Sequence, residues 1–183
     1  MARLDILFTG YVGERTAGTV ALLRDGDVTV VVDPGMVPDR SAILDPLAAL
    51  GVAPGDVTDV IVSHHHPDHT WHVALFPRIR LHDYWATYRG DLWDSRDAEG
   101  FTLSESIRLL ATPGHTREDV TTLVDTADGV AALTHLWWHS AAATDPLAAD
   151  PAALAFHRAR VVALADLVVP GHGAPFPASE APG

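Results

Sequence analysis

Four apolar segments of the sequence, each with the residue types of a β-strand, run directly into a loop that carries histidine. The segments span residues 57–63, 107–111, 130–134 and 167–169, and the histidine loops follow at 64–69, 112–116, 135 and 170–173. Sheet scaffolds commonly present functional side chains on the loops at their strand ends. The pattern therefore predicts a sheet-containing fold in which histidines from distant segments meet at one edge.

The first loop holds the densest group, with His-His-His-Pro-Asp-His over residues 64–69. Pro67 biases His66 towards an extended conformation, and side chains alternate along an extended chain. His64 and His66 should therefore project to one side while His65 points away. Imidazole and carboxylate groups at this spacing suit zinc or another borderline divalent ion. Together with the later histidine loops, this motif predicts a metal site.

Composition excludes several other kinds of site. The 183 residues include no cysteine, and all 12 basic side chains are arginine. A disulfide framework, thiolate metal ligands and a cysteine nucleophile are therefore excluded, as are a Schiff-base lysine and a P-loop. The 24 acidic side chains give a net charge of −12, which makes nucleic acid an unfavourable partner.

Targeting signals are also missing from the sequence. No apolar run approaches the roughly 20 residues of a membrane span. Asp5 interrupts the apolar start that a signal peptide would need. We therefore expect a cytoplasmic protein with no membrane partner.

Strand and helix signals alternate along the chain, and they predict one layered α/β (α+β) domain over residues 1–175. Besides the four segments above, strands are predicted at 4–9, 19–23, 28–32, 79–82 and 120–124, and the longer helices at 40–50 and 150–165. The aromatic, acidic and glycine-punctuated residues 83–100 predict an irregular loop with room for one helical turn. The proline-rich residues 176–183 predict a flexible tail.

Three motifs carry a resemblance to a known family. They are His64-x-His66-x-Asp68-His69, Gly114-His115-Thr116 and Gly171-His172-Gly173, and Asp33-Pro34-Gly35 precedes them. In this order and over nearly the whole chain, they resemble the metallo-β-lactamase fold superfamily. The resemblance implies a four-layer αββα sandwich in a compact single-domain version, with its metal site along one edge of the two sheets.

The same resemblance implies two groups of metal ligands. His64, His66 and His115 would bind a first ion. Asp68, His69 and His172 would bind a second. The ions, zinc with iron or manganese as alternatives, would share a water that is deprotonated near neutral pH, and the resulting hydroxide would attack the substrate. Asp68 would orient this hydroxide or take its proton, which makes Asp68 the predicted catalytic residue.

One position departs from the family pattern. In the family, a carboxylate that bridges the two ions follows the strand at 130–134, whereas this chain has His135 there. An imidazole nitrogen cannot bridge two ions as a carboxylate oxygen does, and the replacement leaves Asp68 as the only carboxylate in the expected ligand set. The favoured expectation is one firmly held ion, with His135 joining the first ligand group. Two alternatives stay open for His135. It could be a terminal ligand while a hydroxide alone bridges the two ions, or its side chain could turn away from the site and bind nothing.

Bulky aromatic residues distinguish the predicted pocket. Thr70-Trp71-His72 follows the Asp-His pair, where the family usually has small residues, and the indole of Trp71 would narrow or cap the site. Tyr84, Trp85 and Trp138 fall near other loops that are expected to rim the site. These four residues are the predicted substrate-binding positions, and they indicate a small and partly apolar substrate.

These features predict a metallo-hydrolase of a small ester, lactone, thioester or amide, with the oligomeric state left open. Three alternatives remain. A metal-dependent ribonuclease or phosphodiesterase is suggested because the segments around His115 and His172 most resemble a subgroup whose animal members include RNA-processing nucleases. A mononuclear iron oxygenase would suit three or four imidazoles on one ion. A metal-binding protein without turnover would follow if His135 disables the site.

Overall fold

Twelve strands and three helices are formed within residues 1–183, all of which the computed structural model describes. The strands are β1 Arg3–Phe8, β2 Val20–Asp25, β3 Val28–Val32, β4 Asp59–Ile61, β5 Arg80–His82, β6 Ala86–Arg89, β7 Leu92–Ser95, β8 Ile107–Ala111, β9 Val120–Thr126, β10 Gly129–Thr134, β11 Leu167–Pro170 and β12 Phe176–Pro177. The helices are α1 Ser41–Ala49, α2 Pro67–Thr70 and α3 Pro151–Val162.

The strands form two sheets. β1 to β7 make a seven-stranded sheet in chain order, and the five-stranded sheet has the order β12-β11-β10-β9-β8. In the second sheet β10 and β11 are parallel, and β9 is antiparallel to both β8 and β10. β8, β10 and β11 therefore run in the same direction, so the loops after Ala111, Thr134 and Pro170 leave the sheet from one edge.

Three apolar clusters show how the layers stack. The cluster between the sheets joins Leu23 of the first sheet to Leu133 of the second. Another cluster packs the outer face of the first sheet against Ile43 of α1, and a third packs the outer face of the second sheet against Leu154 of α3. Both sheets are thus covered on both faces, which confirms the predicted αββα sandwich.

The longer helices follow from local sequence signals. The Asp150 carboxylate caps α3 by accepting hydrogen bonds from the backbone N–H groups of Ala152 and Ala153, at 3.0 and 2.9 Å. Pro151 occupies the first helical position, where its missing N–H costs nothing. The predicted helices at 40–50 and 150–165 are confirmed, with ends drawn in by one to three residues. None of the helices combines the length and apolarity needed to cross a membrane.

Residues 83–100 contain a β-hairpin, so the prediction of an irregular loop was wrong. β6 and β7 pair antiparallel with Tyr88 opposite Trp93, and the two rings lie 4.9 Å apart between centroids. Gly90 has a φ of 63°, a left-handed conformation that tight hairpin turns require and that glycine adopts without strain. The cross-strand aromatic contact stabilises a pairing that the glycine-punctuated sequence does not reveal.

Residues 176–183 pack on the sandwich instead of forming the predicted flexible tail. β12 pairs with β11, and Phe176 and Ala178 are buried in the cluster beneath α3. The indole N–H of Trp137 donates to the carbonyl of Pro182 at 2.8 Å. The prolines of this segment suggested that its residues would be unpacked, whereas the buried side chain of Phe176 anchors the segment to the sandwich.

Candidate metal centre

All seven predicted metal ligands lie together at the edge where β4, β8, β10 and β11 end. Five of the six histidines are buried, whereas His66 is exposed and Asp68 is half-buried. A cavity of about 190 Å³ opens onto the group, and it is lined by five of the ligands together with Val12, Thr16, Trp138 and Leu147. The loops that carry these ligands start from different strands, so the sandwich itself assembles the site.

Three nitrogen atoms of the first predicted group converge on one point. Nδ1 of His66 lies 2.9 Å from Nε2 of His64 and 3.1 Å from Nε2 of His115. A tetrahedral zinc ion with Zn–N bonds near 2.05 Å places its ligand atoms about 3.3 Å apart. The three donor atoms lie within 4.8 Å of one another, a grouping that could hold a single ion. His65 points away, as predicted, and its Nε2 lies 3.0 Å from the Asp83 carboxylate.

The second predicted group converges beside the first. Oδ2 of Asp68 lies 3.4 Å from Nε2 of His69 and 3.4 Å from Nε2 of His172. Nε2 of His69 is buried and has no hydrogen-bond partner, which is costly for a polar atom unless something else binds it. Donor spacing and the unpaired nitrogen both fit a second divalent ion at this position.

His135 lies inside the site and does not turn away. Its ring centroid is 4.1 Å from that of His115 and 4.5 Å from that of His64. Its Nε2 lies 3.1 Å from Nε2 of His172, so this nitrogen faces the second group. Its Nδ1 is buried without a partner. His135 therefore lies between the two groups, at the position for which the resemblance implied a bridging carboxylate.

The outward nitrogens of four ligands are held by neighbouring groups. Carboxylates contact Nδ1 of His69 and Nδ1 of His115, at 2.9 Å from Asp33 and 2.7 Å from Asp145. Ser63 Oγ lies 3.1 Å from Nδ1 of His64, and the carbonyl of Ala17 lies 2.9 Å from Nδ1 of His172. Such partners orient a ligand imidazole and keep its proton on the outward nitrogen, which leaves Nε2 free for a metal.

Two of these partners, Asp33 and Asp145, add negative charge next to the predicted ligand set, in which Asp68 is the only carboxylate. Asp33 belongs to the Asp33-Pro34-Gly35 segment already noted in the sequence, but its contact with His69 is a tertiary one. Asp33 has a φ of 51°, and it also accepts hydrogen bonds from the N–H and the hydroxyl of Ser63, both at 2.7 Å. Asp145 lies in the loop before α3, and no motif marks it in the sequence.

Burial and mutual proximity set the protonation of the cluster. Burial and the neighbouring imidazoles hold the pKa values of His64 and His135 well below the ordinary range, so both rings are neutral and offer lone pairs. Burial also lowers the pKa of His69, but the Asp33 and Asp68 carboxylates outweigh it and raise that pKa to about 9. Burial raises the pKa of Asp68, but the facing imidazoles of His69 and His172, each 3.4 Å away, outweigh burial and lower that pKa to about 2. His69 therefore carries a positive charge beside the ionised Asp68.

The four predicted substrate-binding aromatics separate in the structure. Trp138 lines the cavity, its ring 6.4 Å from those of His115 and His172, and its indole nitrogen is buried without a partner. Trp71 is 68% exposed and borders a different depression. Tyr84 and Trp85 line a groove beside the β6–β7 hairpin, where Trp85 stacks on His65. The structure therefore brings one of the four to the metal cavity.

A known family accounts for this arrangement. The sequence model of the metallo-beta-lactamase superfamily matches residues 13–177, which is nearly the whole chain. The chain belongs to the metallo-β-lactamase superfamily. Within it, Metallo-beta-lactamase domain-containing protein 1 of Xenopus laevis is 34% identical over 168 residues, or 87% of this chain, and the Homo sapiens protein of that name is 39% identical over 157 residues, or 80%. The chain spans 72% of the Xenopus protein and 59% of the human protein.

Solved metallo-β-lactamase structures share the fold. A metallo-β-lactamase-type protein of Thermotoga maritima superimposes with a TM-score of 0.77 at 22% identity, over 96% of this chain and 99% of that one. B. thuringiensis AiiA, solved with N-decanoyl-L-homoserine bound at its active site, superimposes with a TM-score of 0.68 at 16% identity, over 93% and 92%. A third protein, solved in a di-iron-bound form, superimposes with a TM-score of 0.69 at 21% identity, over 94% of this chain and 96% of that one.

Proposed function

We propose that the chain is a metal-dependent hydrolase of a small ester, lactone, thioester or amide. The observation that carries the proposal is the convergence of two donor groups on adjacent points, with Nε2 of His69 buried and without a hydrogen-bond partner in the second group. A divalent ion bound there supplies an activated water and polarises the bond to be cleaved. No cysteine or lysine nucleophile is then needed, in agreement with the composition.

The residues of the chain divide the remaining work. Asp68 is ionised at neutral pH because its pKa is about 2, which suits it to accept a hydrogen bond from a water molecule and orient it. The groups that contact Nδ1 of His64, His69, His115 and His172 hold these imidazoles in place, so that each Nε2 keeps its position at the centre. Trp138 supplies an apolar wall of the cavity.

The size of the cavity supports a small substrate. Its volume of about 190 Å³ is below the roughly 300–1,000 Å³ of ordinary ligand pockets. Val12, Leu147 and Trp138 make part of the wall apolar. A lactone or another compact carbonyl compound fits this combination, and the superimposable structure of an N-acyl homoserine lactone hydrolase with its product bound at the catalytic metal centre lends support by analogy of fold.

We propose zinc as the resident metal, with iron or manganese as alternatives. Imidazole-rich donor sets with few carboxylates suit zinc, although imidazole also binds iron. The first position offers three nitrogens, and the second offers two imidazoles and a carboxylate with His135 beside them. One firmly bound ion or two ions are both compatible with these donors, so occupancy is the first quantity to measure.

The test combines metal content with turnover. Protein purified without added metal is analysed for zinc, iron and manganese per chain, and then assayed on a panel of lactones, esters, thioesters and amides. We expect His64→Ala and His115→Ala to lose bound metal and hydrolysis, while His157→Ala, a change outside the cavity on α3, keeps both. Undiminished hydrolysis in His64→Ala would contradict the proposal. Oxygen consumption with bound iron, or cleavage of RNA alone, would replace it with one of the alternatives.

A further inference from the structure

Asp145 is the least expected residue in contact with the centre. It lies in the loop between β10 and α3, and its side chain is fully buried. Its Oδ2 is 2.7 Å from Nδ1 of His115, and its Oδ1 accepts a hydrogen bond from the N–H of Leu147 at 2.9 Å. One oxygen of the carboxylate thus shapes its own loop while the other contacts a predicted metal ligand.

The loop of Asp145 is tied to the loop of His115 by backbone bonds as well. The N–H groups of Ala149 and Asp150 donate to the carbonyls of His115 and Gly114, each at 3.0 Å. These bonds fix the carboxylate relative to the imidazole. The contact between Asp145 and His115 is therefore fixed by the backbone bonds between their loops and by the bond from the Leu147 N–H to Asp145.

We propose that Asp145 is a positioning residue of the metal centre that acts through His115. By accepting the Nδ1–H of His115, it keeps the proton away from Nε2, the atom that lies 3.1 Å from Nδ1 of His66. It also makes the imidazole a more basic ligand. Asp145 beside His115 and Asp33 beside His69 together supply negative charge near the centre, where position 135 carries a histidine and no carboxylate. The role at the metal rests on the proposed function.

The substitution Asp145→Asn distinguishes this role from packing. Asparagine has one carbonyl oxygen, for which the N–H of Leu147 and the Nδ1–H of His115 compete. When the oxygen serves Leu147, the amide NH2 faces Nδ1, which must then act as an acceptor. The imidazole proton moves to Nε2, so the substitution blocks the ligand atom while preserving the volume of the side chain.

Two measurements test the proposal. In metal-free protein labelled with 15N-histidine, long-range 1H–15N spectra report which nitrogen of His115 is protonated. We expect Nδ1–H in the wild type and a shift towards Nε2–H in Asp145→Asn. Titration of Zn²⁺ against a chromophoric chelator should show the first ion binding about 10- to 100-fold more weakly in Asp145→Asn and in Asp145→Ala. Asp166→Asn is the matched control, because that carboxylate accepts the Val130 N–H at 2.8 Å and does not contact any ligand.

The outcomes separate this proposal from the proposed function. A wild-type His115 that carries its proton on Nε2 overturns the proposal without any variant. So does an Asp145→Asn protein whose Zn²⁺ affinity equals that of Asp166→Asn. A wild type that binds Zn²⁺ but hydrolyses nothing contradicts the hydrolase, and a fall in affinity in Asp145→Asn then still supports Asp145. If the wild type binds no ion at all, the metal-dependent function and the role of Asp145 at the metal both fail.

Discussion

The backbone of Gly171 leaves the space that the imidazole of His135 occupies. A Cβ atom at position 171 would overlap Cδ2 of His135 and lie 2.9 Å from its Nε2. That Nε2 is 3.1 Å from Nε2 of His172, the next residue along the chain after the glycine. The glycine therefore allows imidazoles from two different loops to turn their nitrogens towards the same position.

The substitution Gly171→Ala should displace His135 and weaken the binding of the second ion by about tenfold or more, since overpacking a buried site costs about 1–3 kcal/mol. Stepwise Co²⁺ titration followed by absorbance measures both binding steps, and the first step should be unchanged. Gly55→Ala is the control, because its Cβ would meet only the end of the Arg78 side chain at 3.4 Å. Equal second-step affinities in wild type and Gly171→Ala would count against a role for His135 at that position.

His135→Asp restores a carboxylate between the two donor groups. A negative charge between two divalent ions should tighten the weaker binding step by at least tenfold, and it removes a buried imidazole nitrogen that has no partner. Isothermal titration of metal-free protein with Zn²⁺ measures the change, with His157→Asp as a matched substitution outside the site. A weaker second step would show that the site is built for imidazole. Hydrolysis that appears only in His135→Asp would identify the wild type as a metal-binding protein without turnover.

The pH dependence of stability should carry a contribution from Asp59. This carboxylate is fully buried and contacts Arg80 at 2.8 and 3.0 Å and His82 at 2.7 Å. Burial raises its pKa, but the bonds from His82, Arg80 and Thr58 outweigh burial and leave the pKa below the ordinary 3.8. Because the folded pKa lies below the unfolded one, the stabilisation is fully present well above pH 3.8 and is lost as the pH falls through the folded pKa.

Urea unfolding of wild type and Asp59→Asn at several pH values checks this contribution. We expect the variant to be less stable by about 2 kcal/mol or more at pH 7, since removing one partner of a buried ion pair is strongly destabilising. The difference should shrink below pH 4, where the wild-type carboxyl also becomes neutral. Asp128→Asn, at an exposed turn, should show no such change. A difference that stays constant down to pH 2 would refute the assignment.

The packing of the last residues can be tested with a pair of phenylalanine substitutions. Phe176 is 5% exposed and sits beneath α3, whereas Phe156 on the outer face of α3 is 66% exposed. Phe176→Ala should destabilise the fold by about 3–5 kcal/mol because it leaves a cavity in the core. Phe156→Ala should change the free energy of unfolding by less than about 0.5 kcal/mol. Thermal unfolding that is the same for both variants would restore the picture of a flexible tail.

Several features could be predicted from the sequence because they depend on local pattern. Apolar alternation locates most strands, and Asp150 with Pro151 marks the start of α3. Pro67 favours an extended conformation at His66, which predicts that His65 points away from the side of His64 and His66. The order of the three histidine motifs carries the family resemblance, and the family match over residues 13–177 confirms it.

Other features depend on contacts between distant segments, which local pattern does not encode. The β6–β7 hairpin is stabilised by a cross-strand aromatic pair, and Phe176 is buried by a helix that precedes it in the chain. Trp71 and Trp138 look equally suited to a pocket in the sequence, yet the path of the chain places Trp138 alone of the two at the cavity.

The sequence by itself determined which chemical groups are available at the centre: six imidazoles and a carboxylate at strand ends, with histidine in place of a bridging carboxylate. Only the tertiary structure decided where each nitrogen points and which group holds it. The direction of an imidazole depends on the side-chain torsions that its packing allows and on the partner of its other nitrogen. Those partners, Asp33 for His69 and Asp145 for His115, lie 36 and 30 residues away along the chain.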